Sequence, residues 1–387
     1  MPRGRIAILI VGAFCLSPAR AHAAVGTLTQ KGGIRTVRVN CDKGGSIQAA
    51  LDKAQGPLVI EVRGLCHETV AVTHDDVTLR GEDPERDGIR GVAADPLPDA
   101  ALQIWYAQRV HLENLSISDS PNIGVGAWYS TVYMERCHLK ANVSYGLHVS
   151  AMSAVLGTEL EISNNANVGL NVQRSSTSTC LGCRLEANGS WAAWARMGGI
   201  VGLSDSVVSG GPLSSSWGSG GGLVATAGGS ATLDCATEDT SYPCSLTASD
   251  PGTGPPWSWA VNAVDSGTVT LRGVSPFQGA IHADRGNVQL YGSRQAWTGM
   301  RNHLGNFATM TTGGDSDVGP TELTMPTEVT EFARLVLREG TVVFPQPDGY
   351  NLVLRCLGGG DAYADPGVIV PAPVGGQVMG CAHLPYP

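Results

Sequence analysis

Three side chains in the middle of this sequence, His148, Arg174 and Arg196, are the ones with which it could do acid–base chemistry. A neutral imidazole takes a proton, and a guanidinium neutralises a nearby carboxylate or the charge that develops beside it. Together they suit a metal-independent lyase acting on a uronate-bearing polysaccharide. In that reading His148 is the base and Arg196 or Arg174 the cation. No carboxylate shares their spacing, so they do not form the paired acid and base of a hydrolase. Aromatic and amide residues do share it: Gln103, Trp105, Trp128, Asn171, Gln173 and Trp194. Indole faces can carry sugar rings and amides can bond hydroxyls, so these six are candidate binding residues. The alternative is that the aromatics pack beneath a loop or against a partner.

The positions of these residues repeat. Segments starting at Ala101, Gly124, Gly146, Gly169 and Ala192 are 23, 22, 23 and 23 residues apart, and Asp119, Asn142, Asn165 and Asn188 also step by 23. Each unit alternates apolar and polar residues between Gly, Asn, Ser and Asp, without helical periodicity. A unit this short cannot bury its own apolar face, so the units must stack. A coil of this length with two or three strands predicts an all-β, right-handed parallel β-helix with one strand per coil in each sheet. The Asn column is expected at a turn, where Asn tolerates a left-handed backbone and bonds its counterpart in the next coil. With Leu102, Val125, Leu147, Leu170 and Ala193 pointing inward, the next residues point outward. One outward column then reads Gln103, Gly126, His148, Asn171, Trp194, and a second Trp105, Trp128, Ser150, Gln173, Arg196.

Composition supports a turn-rich β protein. The 387 residues include 51 glycines, and only 15% are charged. A net charge of −9 with no basic cluster beyond the N-terminus argues against a nucleic-acid partner. The opening residues, with Arg3 and Arg5, an apolar run from Ile6 to Leu16 and Ala21-His22-Ala23, read as an export signal over 1–23. The remainder is expected to be secreted or periplasmic, with no transmembrane segment.

Residues 39–81, "VNCDKGGSIQAALDKAQGPLVIEVRGLCHETVAVTHDDVTLRG", resemble the opening of secreted β-helix repeat proteins of the pectin-lyase-like superfamily. The resemblance implies that "GGSIQAALDKA" is a short helix plugging the end of the solenoid. Ile47, Ala50, Leu51 and Ala54 give that helix one apolar face. The superfamily includes lyases, hydrolases, epimerases, esterases and adhesins, so the resemblance speaks for fold rather than activity. The Asn-Thr-Asp, Asp-Asp and Gly-His-Gly signature of its hydrolases and the Asp-Pro-His-Asp signature of alginate epimerases do not occur on successive coils. The clustered carboxylates of calcium-dependent lyases are missing too. The acidic stretches at 75–88 and 313–319 could bind calcium but match neither an EF-hand nor a nonapeptide repeat, and neither a metal nor a cofactor is expected.

Nine cysteines follow the export signal. Proximity in sequence pairs Cys41 with Cys66, Cys180 with Cys183, Cys235 with Cys244 and Cys356 with Cys381. Cys137 is left over as a buried thiol. The chain therefore divides into a signal (1–23), a lead and capping helix (24–57), the β-helix (58–302) and a C-terminal cap and tail (303–387). The function these features favour is an exported β-helix binding glycan or a surface partner along one sheet face. A polysaccharide lyase or epimerase, and a structural or adhesive surface solenoid, are the alternatives.

Overall fold

The computed structural model describes residues 34–381, apart from 94–95, 212–220, 236–241, 249–258, 297–301, 344–351, 369–376 and a few single positions between 315 and 380. The expected export signal lies outside the described residues, as does part of 313–319. Successive coils give strands to three long parallel sheets, and a separate two-stranded parallel pair joins Thr321–Leu323 to Thr341–Val343. The first sheet has 13 described strands and includes Ala100–Trp105, Ile123–Trp128, Leu147–Ser150, Val168–Gln173 and Trp191–Arg196. The second has 14, among them Thr131–Glu135, Ala154–Thr158, Thr177–Leu181 and Ile200–Ser204. The third has 10, including Ser116–Ser118 and His138–Lys140.

The alternating pattern sets the register. Leu102, Val125, Leu147, Leu170 and Ala193 are paired in sequence across the first sheet and all face the core. Adjacent strands differ by one coil, so a shift of one residue would turn every apolar side chain outward. The solenoid also runs on beyond residue 302. Strands at Thr309–Gly313, Arg334–Leu337 and Asp361–Ala364 extend the second sheet, and Gln377–Met379 closes the first. Much of the segment read from sequence as a C-terminal cap is therefore more coil. Unequal turn lengths hide its period, but Leu335 and Leu337 still point into the core.

The N-terminal plug is the helix Ile47–Leu51, with Ile47 and Leu51 buried and Ala50 and Ala54 packed beside them. Ser46 caps it, its hydroxyl accepting from Ala49 N at 3.1 Å. Glu68 accepts from Ser46 Oγ and Ile47 N, both at 2.7 Å. Gln48 Oε1 then takes the N–H of Ala71, in the first strand of the first sheet, at 2.7 Å. The helix thus covers the open core and satisfies part of an exposed sheet edge.

Polar ladders tie successive coils at the corners. Leading into the first sheet, Asn142 Nδ2 donates to Asn165 Oδ1 and Asn165 Nδ2 to Asn188 Oδ1, each at 2.9 Å. The same oxygens accept the backbone N–H of Asn142 and Asn165 at 3.1 Å. The column differs from expectation at its head. Ser120, not Asp119, donates its N–H to Asn142 Oδ1. The left-handed backbone falls on the preceding residues, Asp119, Ala141, Asn164 and Ala187. The coil from Ser120 to Asn142 has 22 residues, one fewer than the 23-residue step, which puts Ser120 rather than Asp119 in the column. Gly124, Gly146 and Gly169 face these amides, and a Cβ on any of them would lie 2.6 Å from an Asn Nδ2. At the corner between first and second sheets, Ser130, Ser153 and Ser176 form a second ladder, each hydroxyl accepting the N–H one coil before it at 3.0–3.1 Å.

The structure joins Cys41–Cys66, Cys180–Cys183, Cys235–Cys244 and Cys356–Cys381. Cys137 is a free, buried thiol, and burial pushes its pKa up to about 12. It is a packing residue without nucleophilic character at neutral pH.

Candidate functional site

The outer face of the first sheet brings the sequence-selected residues together. Gln103, Gly126, His148, Asn171 and Trp194 are register partners on five successive strands. Trp105, Trp128 and Ser150 form the neighbouring column, and Gln173 pairs with Arg196 further along. Arg174 stands at the turn that follows, exposed and with a left-handed backbone.

The aromatic side chains lie differently from the expected platform. The indoles of Trp105 and Trp128 are stacked at 4.3 Å with 9° between their planes, and Tyr106 and Tyr129 at 4.8 Å and 2°. Partners one coil apart are separated along the solenoid axis, so stacked rings turn their faces along that axis and their edges outward. No sugar ring fits between faces already in contact. Gly126 makes this arrangement possible at Trp128, which folds back over it. A Cβ on Gly126 would lie 2.1 Å from Trp128 Cη2. Trp105 Nε1 donates to Gln103 Oε1 at 3.4 Å, which ties the head of the strip.

His148 is 6% exposed and Asn171 0% exposed, although both point away from the core. Tyr145 stacks on the imidazole at 5.4 Å and Trp128 meets it at a tilt. His148 Nδ1 lies 2.7 Å from Asn171 Nδ2, and Nε2 lies 3.4 Å from Gln173 Nε2. An amide nitrogen only donates, so Nδ1 accepts from Asn171 and the proton of the neutral ring is on Nε2. The longer Gln173 contact is then no hydrogen bond, and Gln173 Nε2 donates to Ser150 Oγ instead. Desolvation lowers the His148 pKa to about 4, and the positive charges of Arg196 and Arg174 add to the effect. The lyase chemistry outlined above asks for a base near pH 7. This ring stands well below that and is a neutral hydrogen-bonding group at physiological pH.

Arg196 lies over the Trp194 indole, its Cζ 4.4 Å from the ring centre, and Trp194 Nε1 donates to Thr226 Oγ1 at 3.0 Å. Two polar atoms here are buried without a protein partner: Asn171 Oδ1 and Arg196 Nε. One accepts and the other donates, on neighbouring coils. A buried polar atom left unpaired costs about 1–3 kcal/mol, so such atoms call for an occupant. Among the described residues no group of three or more His, Cys, Asp or Glu could hold a metal ion. No described helix is long and apolar enough to cross a membrane.

Tyr145 and Trp191 belong to this face but escape the alternation rule, whereas Thr226 continues the Gln173–Arg196 column in step with it. Each first-sheet strand starts with two consecutive inward residues, such as Gly146 and Leu147, which throws the residue before them outward. Tyr145, Val168 and Trp191 follow that rule and join Trp194, Val224 and Trp259 in a small apolar cluster outside the main core. A large residue directly before the small-plus-apolar pair is the signal that would have found them.

Residues 94–237 match the family model described as right handed beta helix region. No curated protein matches the chain. Among solved structures, similar folds occur in pectin methylesterase PemA from Erwinia chrysanthemi, at 14% identity, over 70% of this chain and 93% of that one, with a TM-score of 0.40. The gp42 tailspike of Acinetobacter phage vb_AbaP_AS12 shows 12% identity over 90% of this chain and 67% of that one, with a TM-score of 0.43. ORF18 of Geobacillus virus E2 shows 12% identity over 85% of this chain, with a TM-score of 0.41, and this chain covers only 59% of its length. The three parallel sheets and the matched segment make this chain a right-handed parallel β-helix protein.

Proposed function

We propose that the chain is an exported glycan-binding β-helix and that its ligand lies on the outer face of the first sheet. The unpaired Asn171 Oδ1 and Arg196 Nε, buried beside Trp194, carry this reading. A sugar hydroxyl donates and accepts at once, which suits an orphan acceptor and an orphan donor on neighbouring strands. Neutral His148 positions Asn171 through the 2.7 Å contact. Trp194 supplies the apolar wall, while the edges of Trp105 and Trp128 border the N-terminal end. Four disulfides fit an oxidising compartment, in line with export.

A screen of the purified chain against linear neutral and uronate-containing polysaccharides tests the proposal. Binding to at least one of them is expected, without release of unsaturated uronate product. Asn171→Ala should weaken that binding about tenfold, the worth of one well-placed hydrogen bond. Failure of the wild type to bind any of these polysaccharides would end the reading.

A further inference from the structure

The same coils carry a second, different surface. At the turn between the first and second sheets, Tyr106, Tyr129, Met152 and Met197 are large, exposed and held in the left-handed backbone region, with φ between 50° and 59°. Gly or Asn is the usual occupant of that conformation, and a bulky residue there is an outlier. Backbone bonds from Tyr106 N to Trp128 O, Tyr129 N to Ala151 O and Met152 N to Arg174 O place the first three of these turns directly above one another. The second sheet continues the surface. Tyr133, Leu156, Leu181 and Ile200 point outward from its strands and are 36–48% exposed.

Charge on it is sparse: two of the three outward columns of the second sheet carry none, and the third runs Glu135, Thr158, Leu181 and Ser204, with Glu135 ion-paired to Arg136. On the second sheet the outward pairs run Thr131/Tyr133, Ala154/Leu156, Thr177/Thr179 and Ile200/Gly202 on four successive strands. None is ionisable near neutral pH. His111 closes the N-terminal end, stacked on Tyr133 at 4.7 Å, and Arg174 stands at the turn between Met152 and Met197. A soluble monomer seldom exposes a contiguous apolar patch of more than a few hundred Å². Eight large side chains exposed to this degree approach the ~800 Å² that one partner gives to a standard interface.

We infer that this corner and the adjoining second-sheet face form a homodimer interface, in which a second copy of the chain packs sheet face to sheet face about a twofold axis. Two copies of a protein with net charge −9 repel over most of their surface, and a strip whose one outward carboxylate, Glu135, is already paired with Arg136 is where they can meet with little like charge opposed. Flat outer sheet faces pack on one another as the layers of a β-sandwich do. The Ser130–Ser153–Ser176 ladder beneath holds the corner rigid, so little order need be gained on association.

Sedimentation velocity on the full, disulfide-bonded chain from about 1 to about 100 µM tests this, a range that brackets an ordinary micromolar dimer. A monomer–dimer equilibrium is expected within it. The double variant Leu156→Asp/Ile200→Asp should weaken dimerisation at least about a hundredfold with unchanged far-UV circular dichroism. Leu156→Thr/Ile200→Thr, which keeps the strand preference, should weaken it about tenfold and replaces the first pair if that misfolds. Trp194→Ala, on the other face, should leave dimerisation unchanged. A wild type that stays monomeric throughout the range overturns the inference, as does a charged variant that dimerises as tightly. A trimer mass would point to a head-to-tail ring instead, and a monomer that co-sediments with phosphatidylcholine vesicles would assign the patch to lipid.

Discussion

The outer faces of the first and second sheets are built on identical backbone, one strand of each per coil, yet they are opposites. On the first, over coils 103–196, imidazole, carboxamides and a guanidinium are enclosed by tryptophan and tyrosine, and two polar atoms lack partners. On the second, over nearly the same coils, threonine alternates with exposed leucine, isoleucine and tyrosine, and nothing polar is buried unpaired. Residue choice alone makes the difference. The first face holds a buried acceptor and a buried donor without protein partners, and the second is mainly apolar.

The largest effect that would break this comparison lies at the corners supporting the two faces. Asn165→Ala removes the oxygen that accepts from both Asn142 Nδ2 and the Asn142 backbone N–H, and the Nδ2 that donates to Leu139 O and Asn188 Oδ1, so unfolding free energy should fall by about 3–4 kcal/mol. Ser153→Ala orphans the N–H of Ser130 and removes the hydroxyl's bond to Ser150 O, and should cost only about 1–2 kcal/mol. Denaturant titration distinguishes them. Equal losses would mean that the amide ladder is not the stronger of the two corner supports.

Next in size is the pH dependence of stability contributed by the first face. The folded state holds His148 near pKa 4, against 6.5 for the free side chain, so between these values the unfolded chain binds the extra proton. The contribution is complete above pH 6.5 and is lost as pH falls towards 4, by about 3 kcal/mol at most. His148→Gln should flatten this part of the profile in urea titrations at pH 7.5, 5.5 and 4.5. An unchanged slope in the variant would show that His148 is not buried as described.

Trp194→Ala sharpens the contrast on the ligand side. It should cost about 2 kcal/mol of glycan binding, roughly thirtyfold in affinity, measured by calorimetry on whichever polysaccharide the screen identifies. The smallest effect is expected from Met152→Gly on the second face. Relief of the left-handed backbone, offset by the added freedom of the unfolded chain, should raise monomer stability by up to about 1 kcal/mol while weakening dimerisation. A loss of monomer stability would show that Met152 is packed within its own chain.

The sequence by itself determined the solenoid, because a parallel β-helix writes its geometry as a period. Alternation fixed which residues of each first-sheet strand face inward, and the 22–23-residue step put Gln103, His148, Asn171 and Trp194 in one column. It also placed the plug at Ile47–Leu51 and the cysteine pairs, since both depend on residues close along the chain. Only the tertiary structure decided what those columns present. Ring orientation depends on the rotamer each aromatic adopts against the next coil, so that Trp128 lies over Gly126 and shows its edge rather than its face. The burial that neutralises His148 arises from Tyr145 and Trp128 closing over it, and Tyr145 escaped the period because two consecutive inward residues follow it. Past residue 302 the turns lengthen unequally, and there strand pairing between coils, which no local pattern records, carried the fold onward.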